Sequence, residues 1–357
     1  MVAFVSTVGR RSVRFYLTDK NLVVVKRNLL HSVPKLPLTN MRKNPPLFVL
    51  LIALLMLSAT ARAQVLYESN GAAGTVGAYN ALTGATINSN FINNSGSGDT
   101  DQGMAFDPIT NILYVQHSST ISEYATTGAV INASFITGLT NNPFGLALSG
   151  GDLYVTNQGN NTVGEYNAST GATINASLIN TGLSTPRGIL VLGNTLYVVN
   201  RGTGTISTFN ATTGASITPN FITGLVGPSG LTVSGTNLWV ANTDSNSVGE
   251  YNVNTGAAIA PNFITGVIGD FDVKYFNGDL YVTERNIFLP QFGIGLFDAN
   301  TGAAIHNPFI NLPNGPIEVL VVPEASTWLT TALASALLAF QILRAAAFSR
   351  RLSARKR

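Results

Sequence analysis

The chain has 357 residues, of which 45% are hydrophobic and 10% charged, with 35 glycines and no cysteine. That composition excludes a disulfide scaffold, a thiolate metal site, a cysteine nucleophile and wholesale disorder. The formal charge of +3 hides a division: residues 64–323 hold 4 basic and 15 acidic residues while both ends are basic, and so acidic a middle repels phosphate and excludes a nucleic-acid partner.

Residues 1–40 carry seven Lys and Arg against one acid and are read as sequence wrongly assigned ahead of a true start at Met41, or as a disordered leader that lengthens the positive start of the signal. From Met41 the chain runs Arg42-Lys43, an apolar stretch from Leu47 to Leu57, then Ala61-Arg62-Ala63. A positive start, a short apolar core and a small-x-small site make residues 41–63 a secretory signal helix. Ala61 and Ala63 are the small residues of the cleavage site, and the cut falls after Ala63. The apolar stretch is too short to span a bilayer comfortably.

Residues 64–322 are one unit written six times. A Thr-Gly turn, or its variant, places glycine at 84, 128, 171, 214, 256 and 302, in steps of 44, 43, 43, 42 and 46 residues. Ahead of it recurs Leu153-Tyr154-Val155, matched by Leu113, Leu196, Leu238 and Leu280 and more weakly by Leu66-Tyr67. Earlier still comes Gly145-Leu146-Ala147-Leu148, matched from Gly103, Gly188 and Gly230. Each unit holds four short apolar or alternating runs and no helical stripe. Runs one and two are joined by Gly/Asn turns such as Ser149-Gly150-Gly151-Asp152, where φ > 0 is demanded. Runs three and four are joined by Asn-x-x-Thr-Gly, with Asn at 80, 167, 210 and 252 and Asp298 in the last unit.

Four antiparallel strands in about 43 residues predict a propeller blade. The fold class is therefore all-β, a six-bladed β-propeller of four-stranded blades in one domain. Third-strand Tyr79, Tyr124, Tyr166, Phe209, Tyr251 and Phe297 are expected between blades, as are fourth-strand Phe91, Phe135, Leu178, Phe221, Phe263 and Phe309. The unit starting at Leu66 lacks its first strand, and Pro316 to Val322 supplies one at the far end. The C-terminal strand is thus expected to complete the N-terminal blade. Tyr154-Val155-Thr156-Asn157, Asn161-Thr162-Val163 and Pro186-Arg187-Gly188 resemble the YVTN and NHL-type propeller repeats. That resemblance implies a fold and leaves the function open.

In such a ring the loops leading into first strands and those joining second to third strands share one face. Candidate ligand-face residues are Asp101, Asn142, Asn157, Arg187, Asn200, Asn242, Asp270 and Glu284, with Glu318 near the axis. Only His117 and His306 follow the signal, both expected on the surface, so a three-histidine zinc site cannot be built. Glu123, Glu165 and Glu250 recur before the third-strand tyrosine and are expected to face solvent. Asp101, Asn142 and Asp270 could imitate the calcium site of propeller lactonases. No catalytic residue, resident metal or cofactor is assigned. The expected function is a non-catalytic binding module for an envelope glycan or a surface protein, with a calcium-dependent hydrolase or lactonase as the alternative.

The end runs Val322-Pro323-Glu324, then an apolar stretch to Leu343, then a basic terminus ending Arg355-Lys356-Arg357. An apolar helix followed by a positive stop is a membrane-retention device. Residues 323–357 resemble the PEP-CTERM tail of Gram-negative exported proteins, although Ala325 stands where that family has a second proline. The resemblance implies sorting by an exosortase-type enzyme at Val322, Pro323 and Glu324, contact with the membrane through the tail, and delivery to the cell surface or its matrix.

Overall fold

The computed structural model describes residues 64–323 apart from 71–73, 94–100, 140–141, 270–271 and 286–291, together with strand segments within residues 2–37. Val2–Val8, Arg11–Leu17, Asn21–Lys26 and Leu36–Pro37 make a four-stranded antiparallel sheet by themselves, which a reading of residues 1–40 as a leader does not include. The expected signal helix at 41–63 and membrane helix after Glu324 lie outside the described residues. Among the described residues no helix is long and apolar enough to cross a membrane.

Gln64–Val322 is one compact unit and a six-bladed β-propeller. Each blade is a four-stranded antiparallel sheet, and five of the six follow chain order from the axis outward. In blade 3 these strands are Pro143–Ser149, Asp152–Asn157, Thr162–Asn167 and Thr173–Ile179. Blade 1 is the exception: Glu318–Pro323 pairs beside Gln64–Asn70, and the Ile317 N–H donates to the Ser69 carbonyl at 2.9 Å. The C-terminal strand therefore closes the ring as the sequence predicts.

The Asn-x-x-Thr-Gly turn works twice. Within blade 3, Asn167 Oδ1 accepts from the N–H groups of Ser169 and Thr170 at 3.0 and 2.9 Å, and Gly171 takes φ +70°. Between blades, Gly171 lies against the Phe135 carbonyl oxygen of blade 2, where a Cβ would collide. The same glycine meets the fourth-strand carbonyl of the preceding blade all round the ring, including Gly84 of blade 1 against Phe309 of blade 6.

The apolar strata follow from strand alternation. Leu66, Leu113, Leu153, Leu196, Leu238 and Leu280 have no exposed surface. The six third-strand aromatics are buried, each worth roughly 1.5–3 kcal/mol, whereas of the fourth-strand set Phe135 and Phe309 are buried and the other four half-buried. Second- and fourth-strand rings meet within blades, as in Tyr67 with Phe91 at 5.0 Å and Tyr281 with Phe309 at 6.0 Å. In alternate blades the second-strand tyrosine donates to a turn carbonyl of the next blade: Tyr114 to Ala168, Tyr197 to Val253 and Tyr281 to Ala81.

Fourth strands form the rim and expose an edge, which invites pairing with other chains. Blades 1–3 occupy that edge with an asparagine whose Oδ1 accepts the N–H two residues on: Asn88, Asn132 and Asn175. Blades 4–6 carry Pro219, Pro261 and Pro308 in the same stretch, which removes an N–H altogether.

One position breaks the pattern. Where five blades place a fully buried valine (Val115, Val155, Val198, Val240, Val282), blade 1 places Glu68, 2% exposed. Among the described residues its Oε1 is buried without a hydrogen-bond partner, and burial pushes its carboxyl up to about 8.

Two outcomes follow. Gly171→Ala should cost about 2 kcal/mol, lowering the thermal midpoint by roughly 4–8 °C in a circular-dichroism melt. The raised Glu68 carboxyl gives stability that is full below about 4.5 and is lost as pH rises towards about 8, at up to about 1.4 kcal/mol per pH unit. Glu68→Val should therefore stabilise, and its gain in urea midpoint should be larger at pH 8 than at pH 5.

Candidate functional site

The loops joining second to third strands and those leading into first strands form one face, braced from blade to blade. Asn161 Oδ1 of blade 3 accepts from the Thr185 N–H at 2.6 Å, and Asn246 Oδ1 of blade 5 accepts from the Gly269 N–H at 3.1 Å. Arg201 of blade 4 donates to the Gly227 carbonyl at 2.8 Å and to Asp244 Oδ1 at 2.6 Å. Arg187 lies on the same face with its guanidinium 4.7 Å from the Phe144 ring centroid. Burial, and then the neighbouring Arg201, pull Arg187 down to about 10, with Asp244 opposing.

Beneath this face each second strand carries a polar residue at one register position, its last residue in blades 1–5 and its next-to-last in blade 6: Asn70, His117, Asn157, Asn200, Asn242 or Glu284. The first five are at most 5% exposed and brace their own blades. Asn157 Nδ2 donates to Thr162 Oγ1 at 3.3 Å. Asn200 donates to Ser207 Oγ at 3.1 Å and accepts from the Ser184 N–H at 3.0 Å. Asn242 Nδ2 donates to the Val240 carbonyl at 3.4 Å. His117 Nε2 meets the Tyr124 hydroxyl at 2.9 Å. Asn157, Asn200 and His117 thus pin the second strand to the third, and Asn242 bonds within its own strand. All four are buried, so the three asparagines do not present themselves to a ligand and His117 is interior rather than surface.

Glu284 differs. It is half-buried, and Oε1 accepts from Asn307 Nδ2 on the outer strand at 2.8 Å. Burial pushes its carboxyl up to about 7 against the opposing Asn307 bond.

The axis is built by one repeated position at the first strand, held by Gly103, Gly145, Gly188, Gly230 and Glu318 in blades 2, 3, 4, 5 and 1 and, immediately before the strand, by Asp272 in blade 6. Each first strand from blade 2 to blade 5 begins with a bulge, and a second-strand side chain fills the broken ladder. Thr156 Oγ1 accepts from the Gly145 N–H, Thr283 Oγ1 from Asp272, and Ser69 Oγ from Glu318. Gly103, Gly145 and Gly188 let neighbouring backbones approach closer than a Cβ would allow. Among the described residues, a cavity beside these axial positions has a volume of about 30 Å³, room for a water or two.

Where blades 6 and 1 replace glycine by acids, Lys274 lies between them, 3.3 Å from Asp272 Oδ2 and 3.7 Å from Glu318 Oε1. Glu318 Oε2 also accepts from the Met104 N–H, and Asp272 Oδ2 from the Val319 N–H. Burial raises the Glu318 carboxyl to about 8, with Lys274 opposing and Asp272 adding. Asp272 is raised too, by burial first. Burial acts to lower the Lys274 ammonium, yet the two acids hold it above its usual value.

The remaining sequence candidates scatter. Asp101 starts the first strand of blade 2, opposite His117. Asn142 is exposed, and its amide donates to Gln158 Oε1 at 2.8 Å. Asp270 lies outside the described residues, as do Ala61, Ala63 and Glu324. Val322 is 4% exposed in the closing strand, so of the sorting motif it belongs to the core, with Pro323 ending the strand. His306 is exposed, as expected, although on an outer strand instead of in a turn. Glu123, Glu165 and Glu250 are at most 7% exposed, which corrects their expected solvent-facing position. Each has a carboxyl raised by burial, and Glu250 Oε1 accepts from Asn237 Nδ2 at 2.6 Å. The axial pair Asp272 and Lys274 was not anticipated. Its signal was present: Lys274 is the one lysine in residues 64–323, two positions after an acid that replaces a repeated glycine.

No protein-family model matches the chain, and no curated protein matches it by sequence. Solved structures do match. A chain of the nidogen/laminin complex crystal structure aligns at 16% identity with a TM-score of 0.61, covering 72% of this chain and 98% of that one. Hydrazine synthase of Kuenenia stuttgartiensis aligns at 19% identity with a TM-score of 0.41, over 54% and 53% of the two chains. The first likeness supports the six-bladed propeller fold.

Lys274→Met leaves two acids facing each other without their cation and should destabilise by about 3–5 kcal/mol, read as a lowered urea midpoint. Adding Asp272→Asn and Glu318→Gln should recover most of that loss.

Proposed function

We propose that this chain is an exported, surface-directed β-propeller that works as a non-catalytic binding module, with an envelope glycan or another surface protein as its partner. The observation that carries the reading is the loop face: polar loops locked from blade to blade through Asn161, Arg201 and Asn246. A surface so braced loses little conformational freedom when it binds, which is where affinity is usually lost. One structural neighbour comes from a nidogen/laminin complex, in keeping with a fold that takes part in macromolecular assembly. The axial alternative, a calcium-dependent hydrolase, would need uncompensated acids at the centre, and the described axial acids already share the Lys274 ammonium.

In this reading residues 41–63 direct export, and residues 323–357 reach the membrane and are sorted by an exosortase-type enzyme. With Val322 in the core, that enzyme would meet the chain from Pro323 onward.

The full-length chain, tested on an array of bacterial envelope polysaccharides, should retain at least one, with binding that persists in EDTA. Calcium-dependent turnover of a lactone panel, lost on Asp270→Ala, would replace this reading by the hydrolase.

A further inference from the structure

We propose that blade 6 carries a subsite for one uncharged, polyhydroxylated unit, such as a single glycosyl residue, held by Glu284 and Asn307. The inference rests on the glycan-binding reading and names a place for it.

Three departures from the repeat converge there. At the end of the second strand, blades 3, 4 and 5 bury an asparagine, and blade 6 has Glu284. At the start of the third strand, where Thr162 and Thr205 accept from that asparagine in blades 3 and 4, blade 6 has Gly293. On the outer strand, where blades 1–5 have Ser89, Ala133, Ala176, Pro219 and Pro261, blade 6 has Asn307. The first two changes remove the internal pin. The third supplies a partner on the outside, and the Glu284 carboxyl turns to it at 2.8 Å. Gly295 makes room: a Cβ there would lie 2.7 Å from Glu284 Oε1.

The result is a cavity of about 150 Å³ lined by Glu284, Asn307, Phe292, Pro308, Ile268 and glycines 266 and 293. That volume corresponds to roughly five waters, enough for one small polar unit with the rest of a chain outside. Among the described residues Asn307 is the one hydrogen-bond partner of the Glu284 side chain. A carboxyl and a primary amide side by side offer donors and acceptors to neighbouring hydroxyls. Phe292, Pro308 and Ile268 offer apolar walls to the C–H face of a ring. With its carboxyl at about 7, Glu284 is partly neutral at neutral pH and therefore suits a hydroxyl better than a fixed cation.

The test is saturation-transfer NMR on the full-length chain with a panel of neutral hexoses, N-acetylhexosamines, hexuronates, a primary amine and calcium alone. At least one neutral sugar should bind, and Asn307→Ala, an exposed change, should weaken it about tenfold. Glu284→Ala should do the same, whereas Glu284→Gln, which keeps hydrogen bonding without charge, should stay within about threefold. The thermal midpoint of each variant is the check on folding. Preferred binding of the amine, a hexuronate or calcium overturns the proposal, as does neutral-sugar binding unaffected by Asn307→Ala. If the array glycan binds the Asn307→Ala and wild-type chains equally, the subsite falls and the binding module stands. If no glycan or sugar binds at all, the subsite and the glycan-binding reading it rests on both fall.

Discussion

The ring depends on one short-range steric constraint: a left-handed glycine in the third-to-fourth turn of each blade lies against a carbonyl of the blade before it. A side chain at that point would push the sheets apart, and the aromatic layers between them need close packing to contribute. In five blades the Asn or Asp four residues earlier shapes the turn. The glycine then turns local geometry into contact between blades. This double use is why the motif recurs at nearly constant spacing and why the last copy of the contact joins blade 6 to blade 1.

The same economy of volume governs the axis. Glycines let the first strands crowd together, and the small space left on the side of blades 6 and 1 is occupied by two acids and a lysine. A buried ion cluster of this kind contributes little net stability compared with apolar packing. Its members come from the closing strand and the strand beside it, so it favours one register for that closure. In the proposed reading, recognition falls to the loop face and to blade 6, where Glu284 and Gly293 replace the buried asparagine and its threonine partner.

The repeat period, the number of blades, the strand that completes the ring and the aromatic layers were legible in the sequence because each is a local pattern repeated six times. Burial of the polar positions was not. Asn157, Asn200 and Asn242 look like loop residues, but each is the last residue of a strand and is buried. Glu123, Glu165 and Glu250 alternate as solvent-facing residues would, yet in a propeller both faces of a blade are covered. The axial cluster joins Asp272 and Lys274 to Glu318, more than forty residues away, and only the closed ring brings them together. The Glu284 cavity was half visible. The acid was singled out, but its partner Asn307 stands on another strand and its meaning lies in the absence of a threonine at 293.

The placement of Glu318–Pro323 beside Gln64–Asn70 has a consequence for biosynthesis. A chain made from its N-terminus can assemble blades 2 to 5 as they appear, but blade 1 waits for its inner strand until the final repeat has left the ribosome or crossed a translocation pore. Through that interval Leu66 and Glu68 lack a covering neighbour, and the product is an open arc instead of a disc. Completion of the circle is thereby timed by arrival of the last few residues, immediately ahead of the segment expected to engage the membrane.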